Sequence, residues 1–185
     1  TNPSQVDRTI HPAEIDAIFY ISSSGIATPS IEARIMNQLP FRDDTKRIPI
    51  WGLGCAGGAA GISRAYEYCL AFPKANVLVL AVEFCSLTFQ KDDYSKSNLV
   101  GASLFADGIA CALIAGEQST IRPIKQAPKI LGTASKFMPN SEDVMGWQVK
   151  NSGFHVIFSK SIPAIITKWL GPFVHEFLDE YALTK

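Results

Sequence analysis

Among the side chains of this 185-residue sequence, one is placed where it could act as a nucleophile. Cys55 stands in the run Trp-Gly-Leu-Gly-Cys-Ala-Gly-Gly-Ala-Ala-Gly at 51–61. The apolar stretch 48–53 reads as a short buried strand. Gly54 breaks it, and the small residues 56–61 open a helix. Along that helix Ala59, Ile62, Ala65, Tyr66, Cys69 and Leu70 recur at three- and four-residue spacing, which predicts one apolar stripe. A strand, a tight turn, a cysteine and a helix in that order put the sulfur at a helix N-terminus. Unpaired N–H groups and the helix dipole favour an anion there. Such a place favours the thiolate and so makes a nucleophile available near neutral pH. The glycines also let a substrate carbonyl, and the oxyanion developing on it, approach backbone N–H groups. A lone cysteine in an apolar stretch is ordinarily a small core residue. The glycine bend before Cys55 and the small-residue helix start after it favour the nucleophile.

The bulk properties bound the rest. Hydrophobic residues make up 47% of the chain, which argues for a packed globular protein. The 17 basic and 17 acidic residues cancel, leaving no electrostatic footprint for nucleic acid or an anionic membrane. No apolar run approaches the roughly 20 residues of a membrane span, and no signal peptide is evident. Cys55, Cys69, Cys85 and Cys111 sit singly in apolar segments. Their spacing is neither that of a metal site nor that of a disulfide framework, so they read as reduced thiols in a cytoplasmic protein.

The elements that must position Cys55 follow from the pattern. The lead-in 1–13 is polar and carries Pro3 and Pro12. Residues 16–24 read as a strand ending in hydroxyls, 29–39 as a helix with Ser30 near its start, and 41–47 as a charged loop. After a turn at 73–76, the apolar run 77–84 predicts a fully buried, parallel strand. Residues 90–98 read as a surface loop, 99–105 as a short helix, and 109–115 as another buried strand. Few apolar runs and two prolines, Pro123 and Pro128, make 117–129 the expected internal boundary. Beyond it, 130–138 and 154–159 read as strands with a loop at 139–152 between them. Residues 161–181 read as one long helix, capped by Ser161 and kinked at Gly171-Pro172. Its apolar stripe is Ile162, Ile165, Ile166, Trp169, Leu170, Phe173, Phe177 and Leu178. Strands alternating with helices make this an α/β layered fold.

Three blocks together carry a family resemblance: 51–61 around Cys55, Leu-Val-Gly-Ala-Ser-Leu-Phe-Ala-Asp-Gly at 99–108, and Met-Gly-Trp-Gln-Val with Gly-Phe-His-Val-Ile-Phe-Ser-Lys-Ser-Ile-Pro at 145–149 and 153–163. In this order they resemble the type III polyketide synthases, the chalcone/stilbene synthase family of the thiolase superfamily, in its bacterial branch. The resemblance implies an incomplete thiolase-like fold. Residues 1–118 would belong to the N-terminal half that carries the nucleophile, and 119–185 would start the C-terminal half. It implies an acyltransferase. A starter acyl group passes from coenzyme A to Cys55, malonyl-CoA is decarboxylated, and its carbanion attacks the thioester, leading to pyrone or phenolic products. The implied substrates are acyl-CoA and malonyl-CoA, with no metal or bound redox cofactor, in a homodimer. By motif match Phe105 is the aromatic gatekeeper between the coenzyme A tunnel and the cavity. Ser23, Ser24 and Thr28 match a segment lining the initiation cavity, and Thr88 a cavity position. Val156 falls where plant members carry a second gatekeeper phenylalanine, which hints at a roomier pocket for a fatty acyl chain.

One departure matters. The family's catalytic histidine lies in a His-Pro-Gly-Gly motif, and its asparagine later still. His11, His155 and His175 do not match that histidine. The resemblance therefore implies an internal fragment, inactive in condensation by itself. Three rivals remain at this point. A ketoacyl-ACP synthase of the initiating kind shares the superfamily fold and the cysteine. A cysteine hydrolase would need a glycine where Leu53 stands. A catalytically silent piece would serve assembly alone.

Overall fold

The computed structural model describes residues 9–121 and 127–182. Residues 1–8 of the lead-in, with Pro3, residues 122–126 of the expected boundary, with Pro123, and residues 183–185 lie outside the described residues. The chain divides into two compact units. The first holds the described residues through Ser22, Ile26–Ala81 and Ala110–Ala127; the second holds Ser23–Gly25, Val82–Ile109 and the described residues from Pro128.

The first unit is built on β1, Ala17–Ile21, whose five residues are all buried. β1 pairs in parallel with β2, Lys46–Ile50, and with β3, Asn76–Glu83. In register, Ala17 faces Lys46 and Val77, and Ile21 faces Ile50 and Ala81. With β4, Gly108–Ala115, the sheet order is β2-β1-β3-β4. The helices that connect parallel strands cover a central strand on its faces, which is why Ala-Ile-Phe-Tyr-Ile is apolar throughout. Pro49 cannot donate to a ladder and lies in an outermost strand, where that loss is tolerated. The helix α1, Ile31–Met36, precedes β2, and α2, Gly57–Ala71, follows it. The core is Ala17, Phe19, Ile21, Ala65, Cys69, Val77 and Val79.

The second unit contains α3, Lys96–Leu104, and an antiparallel hairpin of β5, Met145–Lys150, and β6, Gly153–Phe158. Two residues, Asn151 and Ser152, connect the hairpin strands. Gly153 closes that turn at φ +113°, where a side chain would be strained. The unit ends in α4, Ile162–Ile165, a π-helical turn at Ile166–Leu170, and α5, Gly171–Glu180.

Several expectations need correction. The strand expected at 48–53 lies at Lys46–Ile50 and takes two residues from the supposed charged loop. The stripe expected along α2 is rotated: its buried face is Gly57, Gly61, Ala65 and Cys69, while Leu70 is 62% exposed. Small residues win that face because α2 lies directly on β1. β4 is a strand as expected, but it is outermost and its first four residues are exposed rather than buried. No strand forms at 130–138, and β5 lies inside the expected loop 139–152. The hairpin provides β6 with its partner through β5, while 130–138 takes no strand conformation. α3 begins at Lys96, because the Ser95 hydroxyl accepts the Asn98 N–H at its start. Ser161 does not cap α4; its hydroxyl meets that of Ser159 at 2.8 Å. The kink expected at Gly171-Pro172 takes the form of the π turn just before it. Pro172 has no N–H to close an ordinary helical turn there.

Candidate functional site

Cys55 owes its position to the bend after β2. Gly52 and Gly54 adopt φ of +84° and +52°, a backbone that L side chains rarely take. Residues Gly54–Ala56 then form one 3-10 turn, closed by the Ala56 N–H on the Leu53 carbonyl at 3.2 Å, and this turn runs into α2. Cys55 is an exposed free thiol on that turn. Ala56 has no side chain that could cap the helix start. A Cβ on Gly57 would fall 2.6 Å from Ile21 Cγ2, and one on Gly61 2.5 Å from Ile21 Cδ1. The two glycines thus let the first turns of α2 sit directly on the end of β1, and that contact fixes the turn bearing Cys55. Cys69, Cys85 and Cys111 likewise form no disulfide.

The second unit holds a cavity of about 430 Å³. Thr88, Phe105 and Val156, all singled out in the sequence, line it together with Cys85, Trp147 and Asp107. Phe105 ends α3 and presents its ring to Trp147 at 6.3 Å and Phe158 at 6.1 Å between centroids. Val156 approaches α3 closely: a Cβ on Gly101 would lie 3.1 Å from Val156 Cγ1. Thr88 is buried, its hydroxyl donating to the Cys85 carbonyl at 2.8 Å. At the same cavity, Asp107 accepts the Ser86 N–H and the Ser86 hydroxyl, both at 2.8 Å. The Ser86 N–H first, then its hydroxyl, hold the Asp107 carboxyl below the usual carboxylate range.

Ser23 and Ser24 are not among the cavity's lining residues. They close a polar cluster on Glu83, at the end of β3. Thr28 belongs to the first unit and is exposed. Glu83, Asp107 and Cys85 were not singled out from the sequence. A carboxylate ending an otherwise apolar strand, as Glu83 does, is the signal that could have found the first of them. Asp107 was legible only as a member of the block 99–108.

Each histidine lies apart from Cys55 in sequence. His11 caps a 3-10 turn at Pro12–Glu14, its Nδ1 accepting the Ala13 N–H at 3.3 Å. His155 lies on β6 and His175 on α5. Among the described residues no group of His, Cys, Asp and Glu could hold a metal ion. No helix there is long and apolar enough to cross a membrane.

Residues 9–118 match the family described as chalcone and stilbene synthases, N-terminal domain. A putative chalcone synthase of Bacillus subtilis (strain 168) is 54% identical over the whole of this chain, which covers 51% of that relative. The 1,3,6,8-tetrahydroxynaphthalene synthase of Streptomyces coelicolor is 37% identical over 97% of this chain and 47% of its own length. A crystal structure of that synthase superposes with a TM-score of 0.81, at 37% identity, over 92% of this chain and 47% of the solved one. The chain therefore spans about half the length of the curated relatives it matches.

Proposed function

The chain belongs to the chalcone and stilbene synthase family, and from that premise we propose that it carries the nucleophile and an acyl-binding cavity of a type III polyketide synthase. The observation that carries this reading is the exposed Cys55 on the glycine bend that leads into α2. A sulfur there attacks the carbonyl of an acyl-CoA. The Sγ–carbon bond forms, the bond to coenzyme A breaks, and coenzyme A leaves as its thiol. The N–H groups of the first helical turn are the donors nearest in sequence for the oxyanion. Decarboxylated malonyl-CoA then supplies the carbanion that takes the acyl group, leaving Cys55 free again.

We assign the 430 Å³ cavity to the acyl chain. Phe105 is its gatekeeping ring, and the small Val156 leaves room for a fatty starter. The acid–base histidine and the asparagine are assigned to the part of the longer relatives that this chain does not span. The chain by itself then accepts an acyl group without condensing it. No metal or redox cofactor enters, and the assembly is a homodimer.

Mass spectrometry after incubation with a fatty acyl-CoA tests the reading. The peptide bearing Cys55 should gain the acyl mass, and Cys55→Ala should abolish the gain. A chain that takes no acyl group at Cys55 would sink the proposal. In a longer protein carrying this chain, Val156→Phe should shift the accepted starters toward shorter acyl groups. A single β-ketoacyl product in place of pyrones would point to a ketoacyl-ACP synthase.

A further inference from the structure

The turn between β5 and β6 brings a second set of reactive side chains together, all within the second unit. Ser152 Oγ lies 2.8 Å from His155 Nε2, and His155 Nδ1 lies 3.4 Å from Asp93 Oδ2. The other oxygen of Asp93 accepts the Ser95 N–H at 2.9 Å. Asn98 Nδ2 donates to the carbonyls of Gln90 at 3.0 Å and Asp93 at 2.6 Å, and Gln90 Nε2 donates to the Phe154 carbonyl at 3.1 Å. These bonds fasten the segment bearing Asp93 to the strand bearing His155.

The order of the three groups follows from what each can donate. A carboxylate only accepts, so the hydrogen between His155 and Asp93 belongs to Nδ1. In the neutral ring Nε2 is then the lone pair, and the Ser152 hydroxyl is its donor. The ring side chain is 15% exposed and the carboxylate 28%, while Ser152 is exposed at the tip of the turn. A nucleophile facing solvent, a base behind it and a carboxylate orienting the base are recognised as a relay by geometry and role, not by position in the chain. The Asp93–His155 distance is at the long end for a hydrogen bond, as is common before a substrate binds.

We propose that Ser152 is an acylation site, activated by His155 with Asp93 as the positioning residue, which takes acyl groups from small activated esters and thioesters. In the step, Ser152 Oγ bonds to the acyl carbon and passes its proton to His155 Nε2. The bond from carbon to the leaving oxygen or sulfur breaks, and the departing group takes that proton from His155. The products are an acyl-serine and a free alcohol or thiol.

The test treats the full chain with p-nitrophenyl acetate and, separately, with a fluorophosphonate, and follows the peptide bearing Ser152 by mass spectrometry. An adduct is expected at Ser152, separately resolved from any at Cys55. Ser152→Ala should remove it, and His155→Gln should slow its formation about a hundredfold. Asp93→Asn should slow it as well, by misorienting the ring. The wild-type chain unfolded in urea should lose the reactivity, which keeps the test decisive if a variant fails to fold. No adduct at Ser152, equal labelling of folded and unfolded chain, or an undiminished rate in a folded His155→Gln variant would each overturn the assignment and leave a merely structural hydrogen-bonded clip.

Discussion

Glu83 grips Ser23 by both backbone and side chain. The Ser23 N–H donates to Oε1 at 2.9 Å and Oε2 at 3.1 Å, and the Ser23 hydroxyl donates to Oε1 at 2.9 Å. The Ser24 N–H adds a bond to Oε2 at 2.9 Å, and Ser24 Oγ accepts the Phe84 N–H at 2.8 Å. One carboxylate therefore organises the start of the hydroxyl-rich loop that the family resemblance assigns to an initiation cavity.

Replacing that carboxylate should cost stability as well as loop order. Hydrogen bonds to charged groups are each worth about 1.5–3 kcal/mol, and an amide turns one of its ends into a donor facing donors. Glu83→Gln should lower stability by about 2–3 kcal/mol in urea unfolding. Ser23→Ala removes a single hydroxyl bond to the carboxylate and should cost about 1.5 kcal/mol. A Glu83→Gln variant as stable as wild type would show that the loop holds itself.

Two neighbouring glycines of α2 should respond oppositely to alanine. At Gly58 a methyl group would meet nothing within 4 Å, so only helix propensity acts. Gly58→Ala should stabilise by about 0.5–1 kcal/mol. At Gly61 the new carbon would meet Ile21 at 2.5 Å and 3.0 Å and Val79 at 3.2 Å. Overpacking of this kind typically costs about 1–3 kcal/mol and more than cancels the propensity gain. Gly61→Ala should therefore melt earlier than wild type, and it should also slow acyl loading at Cys55 by shifting α2 off β1. Equal melting of the two variants would mean that α2 does not rest on β1 as described.

Thiol labelling should separate Cys55 from Cys69. Cys69 is buried in the core of the first unit, with its sulfur 3.7 Å from the Ile114 carbonyl and 3.9 Å from that of Ala75. Burial first, then the charge of Asp16, push its thiol up from the ordinary value. With iodoacetamide at neutral pH, the Cys55 peptide should be modified at least about a hundredfold faster than the Cys69 peptide. Labelling of Cys69 should appear only with unfolding. Equal rates would contradict the packing of α2 on the sheet.

The elements read from the sequence held where one pattern dominated. The continuous apolar runs of β1 and β3, and the glycine bend before Cys55, were legible because burial on both faces and a positive-φ turn leave unambiguous residue types. The buried face of α2 was not, because hydrophobicity marked Ile62 and Leu70 while close approach selected Gly57 and Gly61. The hairpin was half read: Phe154 to Phe158 stood out, but its partner Met-Gly-Trp-Gln-Val-Lys is too polar to stand out without the turn at Asn151-Ser152. Of the candidate site, the placing of Cys55 on a turn that leads into a helix was legible from local spacing alone. Pairings such as Ser23 with Glu83, or His155 with Asp93, join residues some 60 positions apart, and no local pattern encodes them.

The clamp between Ser86 and Asp107 should make part of the stability acid-labile. Both residues line the cavity, and the bond pair ties the 3-10 turn at Cys85–Thr88 to the segment just after α3. The Asp107 carboxyl is held below its ordinary value, so the folded state binds its proton less readily than the unfolded chain does. Its contribution is therefore complete above the unfolded carboxylate value of about 3.9 and is lost as pH falls through the lower folded value. Asp107→Asn should remove that contribution. The urea midpoint of the variant should lie below wild type at pH 7 and at pH 5, and the gap should narrow as pH is lowered below about 4. Because the side chain is open to solvent, salt should shrink the gap only modestly if the two hydrogen bonds carry it, and strongly if long-range charge does. A gap that stays constant down to about pH 2.5 would mean that the carboxylate form of Asp107 is not what holds the turn.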